Sequence, residues 1–179
     1  MENSMINKVI IRPPFESEAF ELNNFVKLCI SSTNQIITTI EEYGNSVKQE
    51  KEKIKSYSKA HNMILLVAIS NNKIVGLLEF SAKKHIKQRH IGEFAINVHP
   101  DYQNKGIGRK LIIFLLNWVS QNQIVEIVFL NVFSSNQKAI NLYKSLGFKE
   151  EGRQIKVIKQ YNGVYIDLIW MYKEINSYL

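Results

Sequence analysis

The chain has 179 residues, 45% of them apolar and 11% aromatic, enough for a sizeable core, and residues 1–179 are read as one domain. Lysine plus arginine number 23 against 16 acidic residues, a net charge of +7 that favours an anionic ligand or partner without naming it. One cysteine excludes an internal disulfide and any multi-cysteine metal site, and the four histidines show no helix-spaced ligand pair, so no metal is expected. There is neither a run of eighteen apolar residues nor a basic-then-apolar leader, so no membrane partner is expected and the expected location is the cytoplasm.

In chain order, Val9 to Ile11 reads as a short strand stopped by Pro13 and Pro14. Apolar residues from Phe15 to Ile30, among them Phe20, Leu22, Phe25, Val26 and Cys29, recur near helical spacing, which makes Cys29 a buried structural thiol rather than a nucleophile. Asn45 to Ala60 is charged and predicts a second, more exposed helix after Gly44. Met63–Ser70 and Ile74–Ala82 form a predicted hairpin, because Asn71 and Asn72 tolerate the left-handed geometry of a tight turn.

Lys83 to His90, KKHIKQRH, is a solvated loop between strands; it lacks the aromatic interleaving of single-strand binders, so nucleic acid is not the expected partner. A third strand of this group, Ile91 to Val98, leads into HPDYQNKGIGRKL, and an apolar helix then runs to about Gln121. The strand Ile124 to Val132 precedes SSNQKAINLYKSLGF, where serine and asparagine caps open a helical repeat of Ala139, Ile140, Tyr143 and Leu146 and Gly147 ends it. Two last strands, Gln154–Lys159 and Val164–Tyr172, are joined by a turn at Asn162 and Gly163. Strand–helix–strand in the middle with hairpins on either side is an α/β pattern, a mixed sheet with helices on both faces.

The glycine pair of QNKGIG lies between a strand and a helix. The third glycine of a dinucleotide fingerprint is replaced by Leu111, and the lysine-serine or lysine-threonine of a P-loop is missing. What remains is unhindered backbone at Gly106 and Gly108 where a helix begins. The free N–H groups of a first turn, with the positive end of the helix dipole, can hold a pyrophosphate there.

VHPDYQNKGIGRKL resembles motif A of the Gcn5-related N-acetyltransferases, with Gln103, Gly106 and Gly108 at the matching positions; NQKAINLYKSLGF, about thirty residues on, resembles the second signature of that family. The similarity runs from about Ile74 to Tyr172 and is closest to bacterial acetyltransferases of amino acids or polyamines and to those of ribosomal proteins. It implies a mostly antiparallel sheet of about seven strands, splayed in the middle. It also implies acetyl transfer from acetyl-coenzyme A to the primary amine of a small molecule, by direct attack through a tetrahedral intermediate. The alternatives are a ribosomal-protein or other N-terminal acetyltransferase, and a non-catalytic acyl-coenzyme A or RNA-binding module. A homodimer is left open.

The same resemblance implies a coenzyme site made by Ile96, Asn97 and Val98, by Gln103, Asn104, Lys105, Gly106, Ile107, Gly108 and Arg109, and by Asn136, Lys138, Ala139 and Tyr143. Glu93 is the candidate base, against a reading as a surface carboxylate or a partner for Arg89. Tyr143 is the candidate acid for the departing thiolate, against a core aromatic. The ribosomal-protein members carry a glutamate on the next strand instead, where this chain has Asn131. A backbone N–H near Val98 is the candidate oxyanion donor, and His90 is a reserve base. Glu41, Glu42, Tyr165 and Asp167 are candidates to receive a cationic amine.

Overall fold

The computed structural model describes residues 9–122 and 124–175. Among the described residues, seven strands and four helices follow in the order β1 (Ile10–Arg12), α1 (Ala19–Ser31), α2 (Val47–Lys59), β2 (Met63–Ser70), β3 (Lys73–Ala82), β4 (Ile91–Val98), α3 (Ile107–Asn122), β5 (Ile127–Phe133), α4 (Gln137–Ser145), β6 (Lys149–Lys159) and β7 (Tyr165–Glu174). They make one open sheet in the order β1-β2-β3-β4-β5-β7-β6, antiparallel everywhere except between β4 and β5. The parallel pair requires a crossover, and α3 supplies it.

The β2–β3 hairpin forms as its asparagines predict, with φ of 49° at Asn71 and 58° at Asn72. On one face of the sheet, Leu66, Ala68, Leu78, Phe80, Phe94, Val128 and Leu130 pack against α3 and α4. Ile107, Leu111, Ile112, Leu115 and Val119 of α3 are all buried there, and full burial of such a side chain is worth about 1.5–3 kcal/mol. On the other face, Leu65, Val67 and Leu77 pack against Leu22, Phe25 and Cys29 of α1 and Ile54 of α2. Burial pushes the Cys29 thiol up to about 12, consistent with an inert core residue.

Four expectations shift. Phe20 fits the apolar repeat of α1 but is 59% exposed, because the buried stripe passes through Ala19 and Leu22 instead. In α2, which reads as exposed, Glu50 is fully buried; its Oε1 accepts from Tyr43 Oη at 2.7 Å and Asn45 Nδ2 at 2.8 Å. β5 begins at Ile127 rather than Ile124, since Glu126 and Ile127 first donate their N–H groups to the His90 carbonyl. β6 starts at Lys149, five residues before its apolar run, because β7 offers Tyr172 and Met171 as ladder partners for Lys149 and Glu150.

Candidate active site

β4 and β5 pair for only three residues: Ile91 with Ile127, Gly92 with Val128, and Glu93 with Phe129. Beyond Glu93 the two strands part, while β4 continues to pair with β3 as far as Val98. The sheet is therefore split along its middle. β4 keeps Phe94 to Val98 on one lip of the gap and β5 keeps Leu130 to Phe133 on the other.

Glu93 stands at the root of this split. Its Oε1 accepts from Asn131 Nδ2 at 2.9 Å and its Oε2 from Lys83 Nζ at 3.2 Å. The partner is thus Lys83, just past β3, rather than Arg89. Alternation along β4 puts Glu93, Ala95 and Asn97 on the face covered by α1 and α2, and Phe94, Ile96 and Val98 on the α3/α4 face. The expected coenzyme contacts Ile96, Asn97 and Val98 therefore divide between two faces.

On the α3/α4 face the helix start after β4 has the geometry of an anion site. Asn104 and Gly106 both have positive φ, 59° and 77°, and the first helical bond of the turn is donated by Lys110 to the Gly106 carbonyl at 3.1 Å. The N–H groups of Ile107, Gly108 and Arg109 precede that bond and point out of the helix end. Gly108 serves packing: a Cβ there would stand 3.3 Å from Leu142 Cδ2 of α4. Gln103 donates through Nε2 to the Val98 carbonyl at 3.3 Å, tying the loop to the end of β4.

The cations around this loop differ in freedom. Lys105 lies 4.9 Å over the Tyr102 ring, and Arg109 donates to Ser145 Oγ at 2.6 Å. Lys138 is exposed on α4. Asn136 caps that helix, its Oδ1 accepting from Ala139 N at 3.2 Å, a contact worth about 1 kcal/mol.

Tyr143 of α4 lies on the α3/α4 side, 6% exposed, edge-on to Phe94 at 6.0 Å and to Phe148 at 6.1 Å. Its ring is a core residue, and its hydroxyl makes no hydrogen bond among the described residues. Burial pushes the phenol upward, so the O–H stays protonated and able to donate across the physiological range. Phe94, the ring it touches, is the neighbour of Glu93 on β4.

Beyond the strand ends, segments distant in the chain are tied together. Gln160 Nε2 donates to the Asn34 carbonyl at 3.0 Å, Ser135 Oγ to Gln35 Oε1 at 3.0 Å, and Tyr161 Oη to Glu41 Oε2 at 3.4 Å. The segment between α1 and α2 thus meets the β6–β7 turn. Of the acidic candidates there, Glu42 accepts from the Thr39 N–H, and Asp167 is taken by Arg153 at 3.5 Å and by the Lys156 N–H at 2.8 Å. The Tyr165 ring carries Lys159 at 5.4 Å. His99 accepts from the Asp101 N–H and closes the strand end, and the His90 carbonyl anchors the start of β5.

Sequence reasoning missed Lys83, which lay inside a loop read as solvated, and the amide role of Asn131. Their signal is non-local, since neither is within eight residues of Glu93 in the chain.

A sheet split at a carboxylate, with an anion-ready helix start on its other face, is the architecture of an acyl-coenzyme A enzyme fold, and the chain belongs to the acetyltransferase (GNAT) family, whose pattern matches residues 31–148. Among curated proteins it is 32% identical over 110 residues to the L-amino acid N-acetyltransferase AaaT of Escherichia coli, covering 59% of this chain and 65% of that one. It is also 32% identical over 114 residues to the spermidine N(1)-acetyltransferase of Vibrio cholerae, covering 64% of each. The matches thus span just under two thirds of these relatives. The fold superimposes on yncA of Salmonella typhimurium, a putative acetyltransferase solved with acetyl-CoA, with a TM-score of 0.84 at 21% identity, covering 96% of each chain.

Proposed function

We propose that the protein transfers an acetyl group from acetyl-coenzyme A to the primary amine of a small molecule. The single observation that carries this reading is the placement of Glu93: a half-buried carboxylate, fixed by Asn131, at the point where β4 and β5 separate. The gap connects the two faces of the sheet. Coenzyme held at the α3 N-terminus could extend its arm between the strands, toward an acceptor on the α1/α2 face.

The chemistry asks three things of the chain. An alkylamine, with a pKa of about 10.4, is an ammonium at neutral pH and must lose a proton before it can attack. Glu93 takes it, directly or through a water. The carbonyl oxygen gains negative charge in the tetrahedral intermediate, and a backbone N–H near Val98, on the side of β4 that faces the gap, donates to it. The leaving thiolate is protonated by the Tyr143 hydroxyl, which burial keeps in its acid form. The N–H groups of Ile107, Gly108 and Arg109 hold the pyrophosphate, with Lys105 and Arg109 beside them.

Similarity to the amino-acid and spermidine acetyltransferases supports a small-molecule acceptor. The ribosomal-protein reading would place its base at Asn131, which is an amide here and already donates to Glu93. Release of free thiol from acetyl-coenzyme A, followed across amino acids, polyamines, aminoglycosides and N-terminal peptides, tests the proposal. Coenzyme binding without thiol release in the presence of any amine would convert the site to a non-catalytic acyl-coenzyme A module.

A further inference from the structure

Beside Glu93 the sheet carries a row of aromatic side chains that neither buried core uses. Asn131 reaches Glu93 and so fixes which side of β5 faces it; Val128 and Leu130 belong to the core under α3 and α4, which leaves Phe129 on the Glu93 side. Antiparallel register carries the row onto β7. Phe129 is paired with Tyr172, ring centroids 6.0 Å apart, and Asn131 with Trp170. Phe129, Trp170 and Tyr172 are all half-buried, and none of them is part of either core cluster.

The core beneath α1 and α2 takes its strand residues from β2 and β3. On the same face Ala95 of β4, the fourth strand of seven, is exposed, two residues along from Glu93. An exposed alanine on the central strand marks an opening in the helical layer, and the opening adjoins both the carboxylate and the rings. Apolar area at such an opening is removed from water when an apolar ligand lies on it, which is how rings that the fold leaves unused become a binding surface. Lys149 of β6 is the register partner of Tyr172 and ends the row, so a second ammonium reaching that far would meet a cation.

From this juxtaposition we infer that the acceptor is a monoamine with an aromatic or bulky apolar body, its amino group on Glu93 and its body on Phe129, Trp170 and Tyr172. Trp170 and Tyr172 are then the residues that set acceptor specificity. The inference rests on the acetyl-transfer reading of the site and adds to it the shape and polarity of the acceptor beyond its amine.

The test follows thiol release from acetyl-coenzyme A with 2-phenylethylamine and tryptamine, and with ethylamine, glycine and spermidine, for wild type, Trp170→Ala, Trp170→Phe and Tyr172→Ala. Wild type should prefer the two arylalkylamines. The quantity read is the ratio of kcat/KM for 2-phenylethylamine to that for ethylamine, in which a general loss of fold or of coenzyme binding cancels. Trp170→Ala is expected to lower this ratio by about five- to thirtyfold, the range for losing one partly buried aromatic contact, and Trp170→Phe to retain most of it. Tyr172→Ala should lower it as well, so a Trp170→Ala chain that fails to fold still leaves the inference decided. Preference of wild type for ethylamine, glycine or spermidine, or a ratio that neither alanine variant changes, would overturn the inference while leaving acetyl transfer standing. A wild-type dimer that Trp170→Ala dissociates in light scattering, with the ratio fixed, would overturn it too and give the rings to a second copy of the chain. No thiol release with any amine would remove the transfer reading and this inference with it.

Discussion

Asn131 of β5 donates its Nδ2 hydrogen to Glu93 Oε1 of β4 across 2.9 Å, two residues beyond the last parallel pair, Glu93 with Phe129. The contact holds the carboxylate at the mouth of the gap instead of leaving it free to rotate into solvent. It also occupies one oxygen, and the second accepts from Lys83 Nζ at 3.2 Å.

Glu93→Gln keeps an oxygen for Asn131 to donate to while removing the basic function. Coenzyme affinity should be retained. Catalysis should then depend on amine that is already neutral in solution, so the rate of the variant climbs with pH toward the acceptor's own pKa, about 10.4 for an alkylamine. The profile of kcat/KM against pH measures this, and superimposable profiles for wild type and variant would pass the proton to His90 or a water chain.

Tyr143→Phe retains the ring contacts with Phe94 and Phe148 and deletes only the hydroxyl. Turnover should fall by about two to four orders of magnitude, the usual worth of positioned general acid help. Melting temperature and coenzyme affinity should stay nearly constant. A fully active variant would leave Tyr143 with a packing role alone.

Gly106 has φ of 77° and nothing within 4 Å of where a Cβ would be built. A β-branched residue would fit the space but strain the backbone by about 1–2 kcal/mol, so Gly106→Val should lower thermal stability modestly and leave helix content intact. Bending of the loop should displace the N–H groups of α3 and weaken coenzyme binding, measured by calorimetric titration. Unchanged affinity would remove the loop from the coenzyme site.

Far from the site, Arg12 and Glu18 form a two-bonded pair of 2.8 and 2.6 Å at the entrance to α1, and Glu18 also accepts from the Phe15 N–H. The Arg12 hydrogen bond is the main cause that holds the Glu18 carboxyl below its ordinary 4.5. Stability from this pair is therefore fully present above about pH 4.5 and is lost as pH falls through the lower folded value. The melting temperature of Glu18→Gln should lie below that of wild type at pH 7, with the gap closing toward pH 3. A gap that stays constant with pH would assign the effect to packing.

Much of the α3/α4 side could be read from the chain because its determinants are local. The turn at Asn71 and Asn72, the Asn136 cap on Ala139 and the left-handed Gly106 each depend on a few consecutive residues, and residue type alone encodes them. The acidic residues of the α1–α2 segment and β7 were far less legible. Glu41, Glu42 and Asp167 look equivalent in sequence, yet Asp167 is taken by Arg153 and the Lys156 N–H, Glu42 closes its own turn, and Glu41 meets Tyr161 120 positions away.

The sequence by itself determined the alternation of strands and helices, the apolar faces that bury them and the glycine loop at the start of α3, since periodicity and turn chemistry act over one or two turns of chain. Tertiary structure decided where pairing stops. The parting of β4 from β5 after Glu93, the early start of β6 against β7, the burial of Glu50 under a charged helix and the attachment of Glu93 to Asn131 and Lys83 all depend on partners brought from elsewhere in the chain. A ladder bond or an ion pair has no signature in either partner's neighbours until the fold sets the two side by side.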